Sequence, residues 1–468
     1  MTAPGIGDLT QRLRQGQTTA TEHVQSVLHA VRTKDTLGAF VTAAGDEALR
    51  AAEQVDRRIR ERGPDAWRGA PLLGVTVSVK DLLQTRDLPT TRGSRLTNRR
   101  PRQDAPAVAR LRAAGAVVIG KTTTSEYGWS ASTLGQVTPP TANPYAPHLT
   151  AGGSSGGAAA AVATGLGEGA LATDGAGSIR IPAAFCAVVG YKPSYGRVPY
   201  VPNGVERLAH QGTLARTVAD AAALADVIAG PHPGDPDSGL GSIDRPPDSH
   251  DSRARPIGWI EYEGTSDEIR KVTEQAMAAL RDQGHQVERT QVRCQDLYPA
   301  LVDILAAAEA AGTPPQDEER CDPGRLDIVR YGRTLSAAAL LRAEGVRQQL
   351  RTRLRSVMRR YSLLAMATVP IEPFDLGAIG PPWAADPRDL LWLAWSPASY
   401  PFNMTGQPAV TLPAGLTGSG LPAGIQLVGP VGADDLVLTV AHRLETELGP
   451  PPPPRPQHAL VPATERTP

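Results

Sequence analysis

The stretch AGGSSGGAAAAVATGLGEGALATDGAGSIRIPA, residues 151–183, decides how the chain reads. Glycine and alanine dominate it, with serine at chosen points. It is not a flexible linker, because AAAAVATG is a close-packing helix pattern and ALATD reads as a short strand. The glycine pairs of GGSSGG, residues 152–157, allow backbone conformations closed to other residues. On its residues alone that loop also fits a phosphate cradle at a helix N-terminus, or a plain flexible loop. Further on, Gly175, Ala176, Gly177 and Ser178 are consecutive and small. Their N–H groups have the freedom to converge on one point, as stabilising a developing oxyanion requires, although a tight turn needs the same residues. Asp174 and Arg180 flank this run and are expected to pair and hold it.

Working outward, residues 8–32 read as two short helices broken at Gly16, with Thr21 capping the second, and residues 44–62 as another helix. GVTVSVK, residues 74–80, is a β-branched apolar run, read as a buried strand ending at Lys80. A lysine there is either a salt-bridged or snorkelling strand end, or a desolvated amine of depressed pKa that acts as a base near neutral pH. Residues 105–114 are helical and 116–121 form a second strand. Helix and strand in alternation predict an α/β fold: one large domain with a mixed, mostly parallel central sheet covered by helices on both faces. Residues 230–256 read as a surface linker, 266–283 as an amphipathic helix, 336–361 as a long Arg-rich helix, and the tail from Gly449 as loosely held polyproline.

Composition narrows the function classes. The 468 residues exceed the usual ceiling of roughly 250–300 for one core, a soft argument for two domains. Lys+Arg and Asp+Glu balance at 48 each, so no basic face for nucleic acid is advertised. Only Lys34, Lys80, Lys121, Lys192 and Lys271 are lysines, which singles each of them out. Cys186, Cys294 and Cys321 are odd in number and lack CxxC spacing, arguing against a disulfide framework and a structural zinc. Residues 1–25 are polar and no apolar run reaches the roughly 20 residues of a membrane span, so a cytoplasmic location is expected. GAVVIGKT, residues 115–122, fits the literal P-loop pattern, but its inter-glycine residues are themselves strand-forming.

Taken together, residues 151–183 resemble the amidase signature family nearly end to end. GVTVSVKD around Lys80, TTRGS at 90–94, GYKPSYGRV at 190–198, PFNMTGQPAVTLPAG at 401–415 and GLPAGIQLVGP at 420–430 carry the likeness from about residue 8 to 447. The resemblance implies an amidohydrolase of linear amides with a Ser–Ser–Lys triad: Ser178 as nucleophile, Ser154 as proton relay behind a cis Gly153–Ser154 peptide, and Lys80 as base. It implies a supporting hydrogen-bonding role for Ser155 and oxyanion donors at Gly175, Ala176 and Gly177, with Asp174 and Arg180 in support. Substrate contacts in the family come from the segment after the second strand and from the variable C-terminal half. Tyr127 and Trp129 are therefore candidate pocket walls, with core packing as the alternative.

The resemblance also implies one domain over 1–465, with N-terminal helices to about 65, a catalytic core at about 66–230 and 400–447, and a variable substrate region at about 257–399. The expected partner is a small-molecule amide, with no metal or organic cofactor, no nucleic acid and no membrane; a homodimer stays open. Two departures stand out. Ala176 replaces a glycine, and Ala146, Leu149 and Ala151 replace Asp, Arg and Pro before the serine loop. Acyl transfer from the same acyl-enzyme is the alternative activity. The amidase-type component of a tRNA amidotransferase is disfavoured, because Ser396 stands near where the family's glutamine-binding carboxylate is expected.

Overall fold

β-Branched and small apolar residues concentrate in short runs, and those runs form the strands. The computed structural model describes residues 5–97, 100–202, 207–241 and 255–454. Among them lie β1 (Phe40–Ala43), β2 (Thr76–Lys80), β3 (Val117–Thr122), β4 (Gly169–Asp174), β5 (Val189–Lys192), β6 (His210–Ala215), β7 (Ile257–Ile260), β8 (Val287–Thr290), β9 (Leu364–Ala367), β10 (Ala409–Leu416) and β11 (Pro422–Val428). They make one sheet in the order β1-β3-β2-β4-β6-β5-β10-β11-β9-β7-β8. This is a single large α/β domain, as the residue patterns predict.

The sheet is mixed, but it is mostly antiparallel, which corrects the expected parallel majority. The parallel pairs are β2–β3, β2–β4, β7–β8 and β7–β9. The pairs β1–β3, β4–β6, β5–β6, β5–β10, β10–β11 and β9–β11 are antiparallel. Helix–strand alternation is clear only near the two ends of the sheet, where crossovers join parallel neighbours. In its middle, short strands such as β5 give little periodic signal, and only residues 417–421 separate β10 from β11, too few for a parallel crossover.

Both faces of the sheet are covered. In β9, Leu364 and Met366 join a core with Trp392 and Trp395, while Ala365 and Ala367 join another with Val437 and Leu444. That split follows the two-residue period of a strand. The helix Gly156–Ala163 packs against β2, β4 and β6, and Ala158, Ala159, Ala160 and Ala161 are fully buried. A helix apolar all round belongs inside, and alanine lets it approach the sheet closely.

The N-terminal helices run Ile6–Arg14 and Ala20–Lys34, separated at Gly16 (φ +65°). Thr19, not Thr21, caps the second, in a capping box with Glu22. Thr21 Oγ1 instead donates to Asp56 Oδ2 at 2.5 Å. The residues GAVVIGKT include β3 rather than a loop, and the Lys121 ammonium is buried against Asp81 Oδ1 at 3.1 Å. Of the expected linker, residues 242–254 lie outside the described residues, as do 455–468 of the proline-rich tail. The described part of that tail is tied down by Tyr145 Oη, which donates to Pro452 O at 2.8 Å. No helix among the described residues is long and apolar enough to cross a membrane.

Ala159→Leu overpacks the buried helix and is expected to destabilise the fold by about 1–3 kcal/mol. The measurement is the urea midpoint, which should fall with the denaturant slope unchanged.

Candidate active site

Strands β2 and β4 are parallel, with Val79 opposite Leu171, and they end at the same edge in Lys80 and Asp174. Crevices beyond the carboxyl ends of parallel strands are where α/β folds place ligands. Lys80 is wholly buried. Its Nζ stands 2.8 Å from Ser154 Oγ, 3.0 Å from Thr173 Oγ1 and 3.4 Å from Thr173 O. Burial pulls its pKa down to about 7, against an upward pull from the Asp174 charge. Lys80 makes no ion pair among the described residues, and its neighbour Asp81 pairs with Lys121 instead. Of the two readings of this lysine, the geometry fits the desolvated amine.

Ser154 follows a cis peptide from Gly153. A side chain at Gly153 would place Cβ 2.4 Å from the carbonyl carbon of Ser132, so only glycine fits there. Ser154 Oγ lies 3.1 Å from Ser178 Oγ, which completes an unbroken chain from Lys80. Ser155 braces the two segments: its Oγ donates to Thr173 O at 3.1 Å and its N–H to Ser178 O at 3.2 Å. Exposure rises along the chain, from 0% at Lys80 through 1% at Ser154 to 9% at Ser178. Only the outermost hydroxyl meets the cavity with appreciable surface.

Asp174 and Arg180 pair as expected, at 2.9 Å and fully buried. Burial alone would raise the Asp174 pKa; the Arg180 charge and hydrogen bonds, with Lys192 and Asn403, outweigh it and hold the carboxyl well below its ordinary range. The carboxylate also takes the Gly177 N–H at 2.6 Å. That corrects the sequence reading of Gly177 as an oxyanion donor: its N–H is committed to the turn. Gly177 is needed for shape instead, because at φ +124° a Cβ would lie 2.6 Å from Ser399 Cβ. The N–H groups of Gly175, Ala176 and Ser178 have no backbone acceptor among the described residues.

Three supporting residues escaped the sequence reading. Asn403 Nδ2 donates to Asp174 Oδ1 at 2.9 Å, and its Oδ1 accepts from Arg180 at 2.6 Å. Gln426 Oε1 accepts from Arg180 at 2.7 Å. Thr173 holds Lys80 from the strand itself. Asn403 and Gln426 lie inside the motif stretches already quoted, which was the available signal; their partners, more than 220 residues away, were not in view.

A cavity of about 390 Å³ opens beside Ser178, lined by Tyr127, Trp129, Ala176, Arg325 and Trp392 among others. Tyr127 and Trp129 are both wall residues, as the pocket reading expects, and Trp129 is also part of the core. Arg325 lies over the Tyr127 ring at 4.4 Å and pairs with Glu309 at 2.7 Å. The helices Leu297–Gly312 and Pro323–Thr334 thus supply the far wall from the second half of the chain. Ser396 is buried and donates to Leu393 O at 3.0 Å. No group of His, Cys, Asp or Glu is placed to hold a metal ion among the described residues.

The comparisons agree with this geometry. The family model described as Amidase matches residues 22–438. The chain is 34% identical to the amidase-type component of the glutamyl-tRNA(Gln) amidotransferase of Thermus thermophilus, over 94% of this chain and 96% of that one. Its fold is similar to the structure of 6-aminohexanoate cyclic dimer hydrolase complexed with substrate, with TM-score 0.81 and 27% identity, covering 95% of this chain and 97% of that one. It is similar too to native peptide amidase from Stenotrophomonas maltophilia, with TM-score 0.80 and 25% identity, covering 98% and 99%.

Burial of Lys80 links its protonation to folding. Its ordinary pKa of 10.5 falls to about 7 in the fold, so between those values the unfolded chain holds a proton that the folded one has released. Stability therefore rises with pH across that window. Lys80→Met removes the effect. The wild type should gain on this variant by up to about 1.4 kcal/mol per pH unit between pH 7.5 and 9.5, measured by denaturant unfolding.

Proposed function

The chain belongs to the amidase signature family, hydrolases of amide C–N bonds, and from that premise we propose that it cleaves a small carboxamide through an acyl-enzyme on Ser178. The observation that carries this reading is the hydrogen-bonded line from Lys80 Nζ through Ser154 Oγ to Ser178 Oγ, ending at a cavity.

Neutral Lys80 takes a proton from Ser154 as Ser154 takes one from Ser178. Ser178 Oγ bonds to the amide carbon and the carbonyl π pair moves to oxygen. The free N–H groups of Gly175, Ala176 and Ser178 are the available donors to that oxyanion, each worth roughly 3–4 kcal/mol in comparable sites. Ser154 then passes a proton to the departing nitrogen, because an amide anion is a very poor leaving group, while Lys80 returns its proton to Ser154. The C–N bond breaks and the amine leaves. Water attacks the ester by the reverse route and frees the acid. Every proton step uses a group the chain itself supplies.

The cavity volume sits at the small end of ligand sites, which favours a compact linear amide. Its Tyr127 and Trp129 walls suit an aryl, alkyl or peptidyl acyl group. An amine that outcompetes water for the acyl-enzyme would make the same site an acyl transferase. The likeness to a glutamyl-tRNA(Gln) amidotransferase component favours a further reading, glutamine as amide donor; the buried Ser396, which offers no carboxylate, counts against it.

Ser178→Ala should lower kcat by about 10³-fold or more, on the scale of losing a nucleophile from such a triad. A fluorophosphonate should add its mass to a peptide containing Ser178, and hydroxylamine should divert product to hydroxamate. Full activity in Ser178→Ala would sink the mechanism. Because Lys80 must be neutral, kcat/KM should rise with pH through a midpoint near 7 and level off above it. A profile flat from pH 5 to 9 would exclude Lys80 as the base.

A further inference from the structure

The cavity wall carries one guanidinium that the chemistry above does not use. Arg92 lines the cavity and is partly buried. Among the described residues it makes no ion pair, and the nearby carboxylates are taken: Asp81 by Lys121 at 3.1 Å, and Glu309 and Glu126 by Arg325 at 2.7 and 3.6 Å. A half-desolvated cation left without a partner marks a place where an anion is missing.

The backbone beneath it is unusual. Arg92 has φ +56° and Tyr127 has φ +50°, a left-handed conformation that side chains other than Gly, Asn and Asp seldom take. The two are joined, since the Tyr127 N–H donates to Arg92 O at 2.8 Å and the Arg92 guanidinium sits 5.9 Å from the Tyr127 ring centroid. Arg92 N–H in turn donates to Asp81 O at 3.1 Å, beside Lys80. One residue beyond Tyr127, the site of a Cβ on Gly128 is 3.0 Å from Ser154 Oγ. Two such conformations clustered against the reacting serines point to function rather than accident. A second donor lies on the same wall: the Trp129 indole N–H is buried without an acceptor in the protein.

We infer that Arg92 is a specificity-determining residue, and that the amide this site accepts carries a carboxylate, bound by Arg92 at the rim of the cavity beside Tyr127. The inference rests on the amidase reading of the same site and adds the charge of its substrate. A planar guanidinium takes a carboxylate through two parallel hydrogen bonds, which a lysine ammonium cannot reproduce.

The test separates binding from turnover. In the intact protein carrying Ser178→Ala, calorimetry compares N-benzoylglycine with N-benzoylglycinamide, which match except for the charge. The anion should bind about tenfold more tightly in low salt, and its advantage should shrink as ionic strength rises. Arg92→Gln should erase the preference, while Arg92→Lys should keep part of it. Equal affinities, absent binding of the anion, or a preference that survives Arg92→Gln would each overturn the inference. Labelling of Ser178 in the wild type is read separately, so failure of the substrate charge and failure of the amidase mechanism give different results.

Discussion

The Asp174 carboxylate, wholly buried, accepts from the N–H groups of Gly177 and Ile179, from two nitrogens of Arg180 and from the Asn403 amide. Everything at the active edge is referred to that group. It shapes the turn that presents Ser178, and it ties β4 to the segment around Asn403, which arrives from more than 220 residues further along the chain. It also stands close enough to Lys80 to act on its charge. Breaking such a pair by removing one partner leaves an unpaired buried ion, at a cost of about 3–5 kcal/mol.

The same carboxylate creates a conflict that the fold resolves. An anion beside Lys80 favours the ammonium, while the proposed chemistry needs the amine. Burial works in the required direction and prevails, so the lysine rests near neutrality. Arg180 contributes by compensating the carboxylate before its field reaches Lys80. Two further buried groups lie behind this pair. Burial, with Arg180 nearby, holds the Lys192 pKa well below its ordinary value, and burial with Lys192 nearby does the same for His210. The region tolerates one full ion pair and pushes the remaining bases toward their neutral forms.

How much of this was legible in the sequence depended on distance along the chain. Ser154, Ser178, Asp174 and Arg180 fall within one Gly-rich stretch, where spacing and residue type point the same way. Lys80 read equally well as a strand-end salt bridge until the packing around it was known. Asn403, Gln426 and Arg92 carried no local sign of their partners, because an amide in a helix or an arginine in a turn looks the same whether or not a site lies opposite. The sheet misled for a related reason. Parallel pairing announces itself through intervening helices, whereas the antiparallel middle is built from strands of a few residues whose neighbours come from distant segments. Gly177 shows a finer limit: its small size was visible, but which acceptor would claim its N–H was decided by a side chain three residues earlier.

The gradient of exposure along the three reacting side chains has a consequence for proton economy. Lys80 touches no solvent, and its path to the outside runs through Ser154 and Ser178. In the proposed cycle, the proton withdrawn from one hydroxyl therefore stays inside the protein until a substrate atom collects it. The site behaves as a sealed circuit with a fixed charge count, closed by the arriving substrate rather than by the medium. Buffer bases have no route to the amine, so the rate should follow the acidity of the solution and not the identity or concentration of the buffer that sets it.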